Sequence, residues 1–476
     1  MRAILLLPAL LAAAPAAATG CEELRALRLP GVEIRSADAV AKGATLPFSA
    51  PDLPIKSDIA VCAVEATVRP TADSDIRFAV LIPQGTAWNG KFLQVGNGGL
   101  AGKIPYGTML LGLAKGYAVA GTDDGHQTKE NADARWALGH PEKVADFGWR
   151  AVKSTTDGAK AILAAYSGKP DKSYFFGCSD GGREALMTAQ RFPADFDGIV
   201  AGAPAWPWTR MLASAAKVTQ RQLDPAAALP PAKLPALQAA ALAACGGGNR
   251  YIANQRSCRF DPGVIACTGA ETDQCLTQPQ LKTVRLVYNG VRDPGTGMTL
   301  PGLRPGAEAA DRSWRDWGIA MLPGDRSRAE AKGFTWNYFA FMVKDDPAFS
   351  VAALTDADII SSERKLSGTL DAASPDLSAF KARGGKLIQY HGWNDPAIPP
   401  AYSLEYHTKV QARMGPSSGF YRLFMVPGML HCTGGAAPTQ VDWVALLESW
   451  VERGDAPASV TPTAADGSKQ VVVAER

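Results

Sequence analysis

Six residues, Gly177-Cys178-Ser179-Asp180-Gly181-Gly182, leave this chain few folds to choose from. They follow an apolar run, Ser173 to Phe176, that reads as a buried strand, and they lead into Asp180 to Arg191, which reads as a helix. A serine set between a small residue and a glycine at a strand-to-helix junction forms a sharp turn that exposes its hydroxyl above a sheet. A cysteine precedes the serine, and a second pairing of this kind, His431-Cys432, lies in Pro427-Gly428-Met429-Leu430-His431-Cys432. If Ser179 and His431 share a proton, Cys178 and Cys432 are brought close as well, and a disulfide between them clamps nucleophile to base.

Strand and helix signals alternate on both sides of this turn. Arg77 to Ile82, Lys91 to Val95 and Tyr117 to Gly121 read as strands after a Pro/Ala-rich lead. Asp146 to Tyr166 reads as a helix with Trp149, Val152, Ala159, Ile162, Leu163 and Tyr166 near one face, and Asp197 to Gly202 as a further strand. From about Trp206 to Leu370 the alternation stops. It resumes with helix Asp376 to Arg383, strand Lys386 to Tyr390, helix Ala401 to Met414, strand Tyr421 to Val426 and helix Val441 to Arg453. Such a pattern implies one doubly wound, mostly parallel sheet of the α/β-hydrolase class, its two parts (19–205 and 371–476) separated by a large lid (206–370).

The first eighteen residues read as an export signal: Arg2, an apolar stretch from Ile4 to Ala14, and an A-x-A pattern at Ala16-Ala17-Ala18. Export places the mature chain in the periplasm or outside the cell. Cys21, after Ala18-Thr19-Gly20, also stands where a lipid-bearing cysteine would. The net charge of +3, from 49 basic and 46 acidic residues, argues against nucleic acid or a membrane surface as the main partner. No later segment approaches the ~20 apolar residues of a membrane span. Eight cysteines in an oxidising compartment permit complete pairing. Spacing suggests Cys245–Cys258 and Cys267–Cys275 as local loops, which leaves Cys21–Cys62 and Cys178–Cys432. About a hundred pairings are open to eight cysteines, so the proton-sharing argument alone favours the last.

Serine needs a base within hydrogen-bond reach, and that base needs a third group to fix its tautomer. His431, in a loop after a late strand, satisfies the chain order serine, acid, histidine of this fold. Asp395 sits where Lys386 to Tyr390 runs out, in His391-Gly392-Trp393-Asn394-Asp395-Pro396. The oxyanion of the transition state needs donors. The backbone N–H of Asp180 supplies one, and Gly98 or Gly99, in Gly96-Asn97-Gly98-Gly99 after strand Lys91 to Val95, the other. Of the remaining histidines, His126 suits a structural hydrogen bond, His391 a buried strand end, and His140 and His407 the surface.

These residues resemble the tannase and feruloyl esterase family, which includes mono(2-hydroxyethyl) terephthalate hydrolases. The family's mark is Cys-Ser, a later Asp, then His-Cys with the two cysteines bonded; here those are Cys178-Ser179, Asp395 and His431-Cys432. Thr122 to His126, Phe147 to Val152, Phe196 to Val200 and Tyr390-His391-Gly392-Trp393 look like further family signatures. The resemblance implies hydrolysis of esters of aromatic acids with no organic or redox cofactor. Many relatives carry calcium in a lid loop closed by two cysteines. The matching stretch here, Cys245 to Cys258, contains no carboxylate and two arginines, so that site is expected to be lost. An aromatic substrate needs an apolar slot, for which Trp314, Trp317, Trp336, Tyr338 and Phe339 are candidates, and Arg312 or Arg315 is placed to grip the free carboxylate of a terephthalate monoester. The partner expected is therefore a small aromatic ester. A peptidase and a non-catalytic binding protein on the same fold are the rival readings.

Overall fold

The computed structural model describes residues 20–48, 54–317 and 333–475. The expected leader lies outside them. Nine strands form one sheet: β1 (Val32–Val40), β2 (Val61–Val68), β3 (Ile76–Pro83), β4 (Lys91–Val95), β5 (Ala118–Thr122), β6 (Lys172–Cys178), β7 (Gly198–Gly202), β8 (Lys386–Gly392) and β9 (Tyr421–Val426), in spatial order 1-2-3-5-4-6-7-8-9. The first three strands and the β3–β5 pair run antiparallel. From β5 onward every pair is parallel. Parallel strands must be covered on both faces, and β5 and β7 are buried at every residue.

Two apolar layers provide that cover. Phe78, Phe92, Phe147, Phe175 and Phe196 pack on one face, and Leu93, Tyr174, Tyr390, Phe424 and Trp443 on the other. The helices packed around the sheet are α1 (Tyr106–Leu113), α2 (Ala151–Tyr166), α3 (Asp180–Arg191), α8 (Ala401–Met414) and α9 (Trp443–Arg453). The chain between β7 and β8 adds no strand to this sheet among the described residues. It contributes α4 (Trp208–Gln222), α5 (Leu234–Cys245), α6 (Gln278–Asn289) and α7 (Asp356–Leu370), with a small core of its own around Leu229, Leu281, Val284, Val287 and Trp314.

Two regions differ from the sequence reading. The Pro/Ala-rich lead holds β1 and β2, and Cys21–Cys62 ties a short 3-10 turn, Glu22–Ala26, to β2. A cysteine bonded in this way has no thiol to offer a lipid, which removes the lipoprotein reading of Cys21. The helix expected from Asp146 begins instead as a π turn, Asp146–Arg150. That wider turn leaves the carbonyls of Phe147 and Gly148 to receive the guanidinium of Arg183 (3.0 and 2.7 Å). The eight cysteines form four disulfides: Cys21–Cys62, Cys178–Cys432, Cys245–Cys258 and Cys267–Cys275.

Candidate active site

Ser179 directly follows β6 with φ 67° and ψ −121°, a backbone conformation costly for any residue with a side chain. Its N–H donates to Gly202 O and its carbonyl accepts from Arg183 N and Ala205 N. The turn closes because its neighbours lack Cβ atoms: one added at Gly177 would lie 2.1 Å from Gly181 O, and one at Gly182 would lie 2.2 Å from Gly202 O. The hydroxyl makes no hydrogen bond among the described residues in this conformation, and Ser179 lines a cavity. Catalytic hydrogen bonds often tighten only around substrate.

Asp395 lies three residues beyond β8, in a turn held by Asp395 N to Gly392 O (3.2 Å) and Asn394 N to Met429 O (3.0 Å). It is fully buried, and all its acceptor sites are used. Oδ1 takes the N–H groups of Ala397 (2.8 Å) and Ile398 (2.9 Å). Oδ2 takes His431 Nδ1 (2.8 Å) and His391 Nε2 (3.1 Å). Burial alone would raise this carboxyl, but the charge of His431 and the two histidine hydrogen bonds outweigh it and hold Asp395 well below the usual carboxylate range. With Nδ1 committed to Asp395, Nε2 of His431 is the nitrogen free for proton transfer. His391 was expected only as a strand-end histidine. It is buried, and it bridges Asp395 to Ser403, whose hydroxyl donates to Nδ1 (2.7 Å) while accepting from Gln389 Nε2 (2.6 Å). The signal was present in the four-residue spacing His391…Asp395 across a turn.

The Cys178–Cys432 bond joins residues 254 apart in sequence, with Cα atoms 5.9 Å apart, and so brings the serine turn and the histidine loop together. The loop after β4 is lashed to the same turn by Gly96 N to Phe176 O (2.9 Å) and Gly181 N to Asn97 O (2.8 Å). Within it the two candidate glycines differ. Gly98 N–H is held by Asn97 Oδ1 (3.2 Å), whereas the N–H groups of Gly99 and Asp180 have no acceptor among the described residues. Gly99 has φ +62° and faces the cavity. His126 steadies the far end of the loop, donating from Nε2 to Leu100 O (2.7 Å) and stacking on Trp136 at 3.8 Å. Burial pushes its pKa down to about 4.

The cavity holds about 310 Å³, at the small end for ligand sites. One wall is a face of α4: Trp208, Met211, Leu212, Ala215, Val218 and Thr219, spaced over about 16 Å of helix. Trp317 and Phe334, whose rings lie 6.4 Å apart, form another part, and Trp317 meets the His431 ring edge-on at 4.8 Å. The other candidates lie elsewhere. Trp314 is buried in the insert's own core against Tyr288. Trp336 donates to Phe349 O, and Tyr338 and Phe339 are core residues. Arg315 and Arg312 do not line the cavity, and Arg315 is exposed and paired with Asp316 at 3.5 Å. Asp316 is the one charged side chain lining the cavity among the described residues.

In the Cys245–Cys258 loop, Asn249 and Asn254 turn their amides onto the loop's own backbone, and Arg256 pairs with Glu475. This donor set does not fit calcium, which requires mostly anionic oxygen ligands.

The family model "Tannase and feruloyl esterase" matches residues 61–476. An uncharacterized esterase of Xanthomonas campestris pv. campestris is 40% identical over 97% of this chain and 86% of its own length. The mono(2-hydroxyethyl) terephthalate hydrolase of Piscinibacter sakaiensis is 33% identical over 81% of this chain and 74% of its own. The crystal structure of feruloyl esterase B from Aspergillus oryzae superimposes with a TM-score of 0.87 at 25% identity, covering 95% of both chains.

Proposed function

The chain belongs to the tannase and feruloyl esterase family and is a carboxylic ester hydrolase, and on that premise we propose that it cleaves uncharged esters of aromatic acids, after export, through Ser179, His431 and Asp395. Ser179 Oγ attacks the ester carbonyl as His431 Nε2 takes its proton. Asp395, ionised and held by four donors, keeps the imidazole in the tautomer that leaves Nε2 free and stabilises the imidazolium. The negative oxygen of the tetrahedral intermediate is received by the N–H groups of Asp180 and Gly99, neither of which has an acceptor among the described residues. Each such donor contributes about 3–4 kcal/mol to lowering the barrier. The alcohol leaves with the proton from His431. Water then repeats the sequence on the acyl-enzyme and releases the acid. Nothing in these steps requires a metal or cofactor.

The carrying observation is that the serine turn opens on an apolar cavity with no cation on its described walls, and that Trp317 of that cavity meets the ring of the Asp395-bonded histidine. An aromatic ring suits such walls. A free carboxylate would be desolvated beside Asp316 with no cation among the described residues to pair it, which disfavours a terephthalate monoester as the substrate. The test is a panel of methyl gallate, methyl ferulate, chlorogenate, a terephthalate monoester and p-nitrophenyl acetate, each with wild type and Ser179→Ala. A neutral aromatic ester cleaved fastest by wild type, and not by the variant, upholds the proposal. Fastest cleavage of the monoester refutes the substrate class, and equal rates for the two proteins refute the mechanism.

A further inference from the structure

Behind the serine turn, three carboxylates and one guanidinium meet in the interior. Asp124, Asp180 and Glu184 are 0%, 0% and 1% exposed, and each offers an oxygen within 4.8 Å of the others. Arg183, also fully buried, donates from Nε to Asp180 Oδ1 (2.6 Å), from Nη1 to Gly148 O and from Nη2 to Phe147 O. Asp180 and Arg183 neutralise each other. Asp124 and Glu184 are left facing one another with no cation of their own among the described residues. Two such charges in a dry interior do not both persist at neutral pH.

Hydrogen-bond accounting leads to the same place. Glu184 Oε2 accepts the Asn97 N–H at 3.0 Å, but Oε1 has no partner, and neither oxygen of Asp124 has one. A buried acceptor facing a buried acceptor is satisfied only when one of them carries a hydrogen. Asp124 is also the strained member, at φ 62°, with its N–H held by Thr122 Oγ1 (3.2 Å). Burial and the facing carboxylates of Glu184 and Asp180, opposed by Arg183, hold the Asp124 carboxyl well above its ordinary range.

We propose that Asp124 is protonated and donates its hydrogen to Glu184 Oε1, so that Glu184, fixed from behind, pins Asn97 and with it the Gly98–Gly99 loop. Asp124 and Glu184 are positioning residues: they touch no substrate and act through the Gly99 N–H. This second half rests on the mechanism proposed above, whereas the location of the proton does not, and the two are tested separately.

Infrared difference spectra of the full-length protein, wild type minus Asp124→Asn at neutral pH, read the proton directly. One carbonyl band of a protonated carboxylic acid is expected in wild type and absent from the variant; a difference confined to carboxylate bands overturns the proposal. A second readout is the ratio of unfolding constants, wild type to Asp124→Asn. A carboxyl protonated only in the folded state makes this ratio rise about tenfold per pH unit above pH ~4, until the folded protein loses the proton. Asp180 and Glu184 are common to both proteins, and a ratio independent of pH overturns the assignment. A stoichiometric divalent cation, whose removal by chelation alters the infrared band, would also overturn it, because the cation would then balance the pair. For the positioning role, Asp124→Asn keeps a donor and should hold kcat within about threefold. Asp124→Ala should lower kcat at least tenfold with little change in KM and with its circular dichroism intact. Equal kcat for the two folded variants removes the link to catalysis while leaving the proton's location standing.

Discussion

Replacing Cys178 and Cys432 together with alanine should cost activity far more than it costs the fold. The bond closes a loop of 254 residues, for which chain entropy sets a stabilisation of about 5 kcal/mol. Spread over the unfolding entropy of a chain this long, roughly 1 kcal/mol/K, that lowers Tm by only about 5 °C. The effect on the site is different in kind. Cys432 sits at φ 64°, a conformation that costs a residue with a side chain about 1–2 kcal/mol. Once the sulfur link is gone, the loop relaxes by shedding that strain, and His431 moves with its neighbour. A displacement near 1 Å is worth about a hundredfold in rate. At 25 °C the double variant should keep its circular dichroism, lose about a hundredfold in kcat, and bind substrate with little change in KM. Paired melting and steady-state measurements decide it. A lowered Tm with kcat within threefold of wild type would make the bond a staple of the fold and refute the reasoning, as would activity and ellipticity that vanish together.

Asp395→Asn should reduce kcat by about 10⁴, because the amide no longer fixes the His431 tautomer. Since folding depresses the Asp395 pKa, its stabilisation is present above the unfolded value near 3.9 and is lost as pH falls toward the folded one, so the Tm gap between wild type and this variant should narrow below pH 4; a gap constant from pH 7 to 3 contradicts the depressed pKa. Gly98→Ala should leave kcat nearly unchanged, since nothing lies within 4 Å of its Cβ, whereas Gly99→Ala, strained and 2.3 Å from Asn131, should lower kcat about a hundredfold; the reverse order would reassign the oxyanion donor. A terephthalate monoester should have kcat/KM at least tenfold below that of its neutral methyl ester, and Asp316→Asn should narrow the gap; parity between the two esters in wild type would mean a cation reaches the cavity.

The positions of Ser179, Asp395 and His431 just beyond β6, β8 and β9 could be read because a short apolar run marks each of those strands, in the order the fold requires. β1 and β2 could not. Val32–Val40 is an edge strand that alternates charged and apolar residues beside a Pro/Ala-rich lead, and its partner Val61–Val68 gives only one short run. The cavity wall was misread for another reason. Trp314, Trp336 and Phe339 stand out for their aromaticity, yet they pack into cores, and the wall of the cavity is the Trp208–Thr219 face of α4. Which face of a lid helix turns inward is set by tertiary packing rather than local periodicity. The Asp124–Glu184 pair was equally hidden, because residues sixty apart meet only once β5 and α3 are in place.

The central claim is that Ser179 is the nucleophile. A serine-directed aryl phosphonate, followed by intact mass and peptide mapping, tests it most directly. One adduct per chain is expected, on the peptide that carries Ser179, appearing in step with loss of ester hydrolysis and absent from Ser179→Ala. Label on another residue, or a Ser179→Ala protein that still hydrolyses aromatic esters at the wild-type rate, would contradict the account.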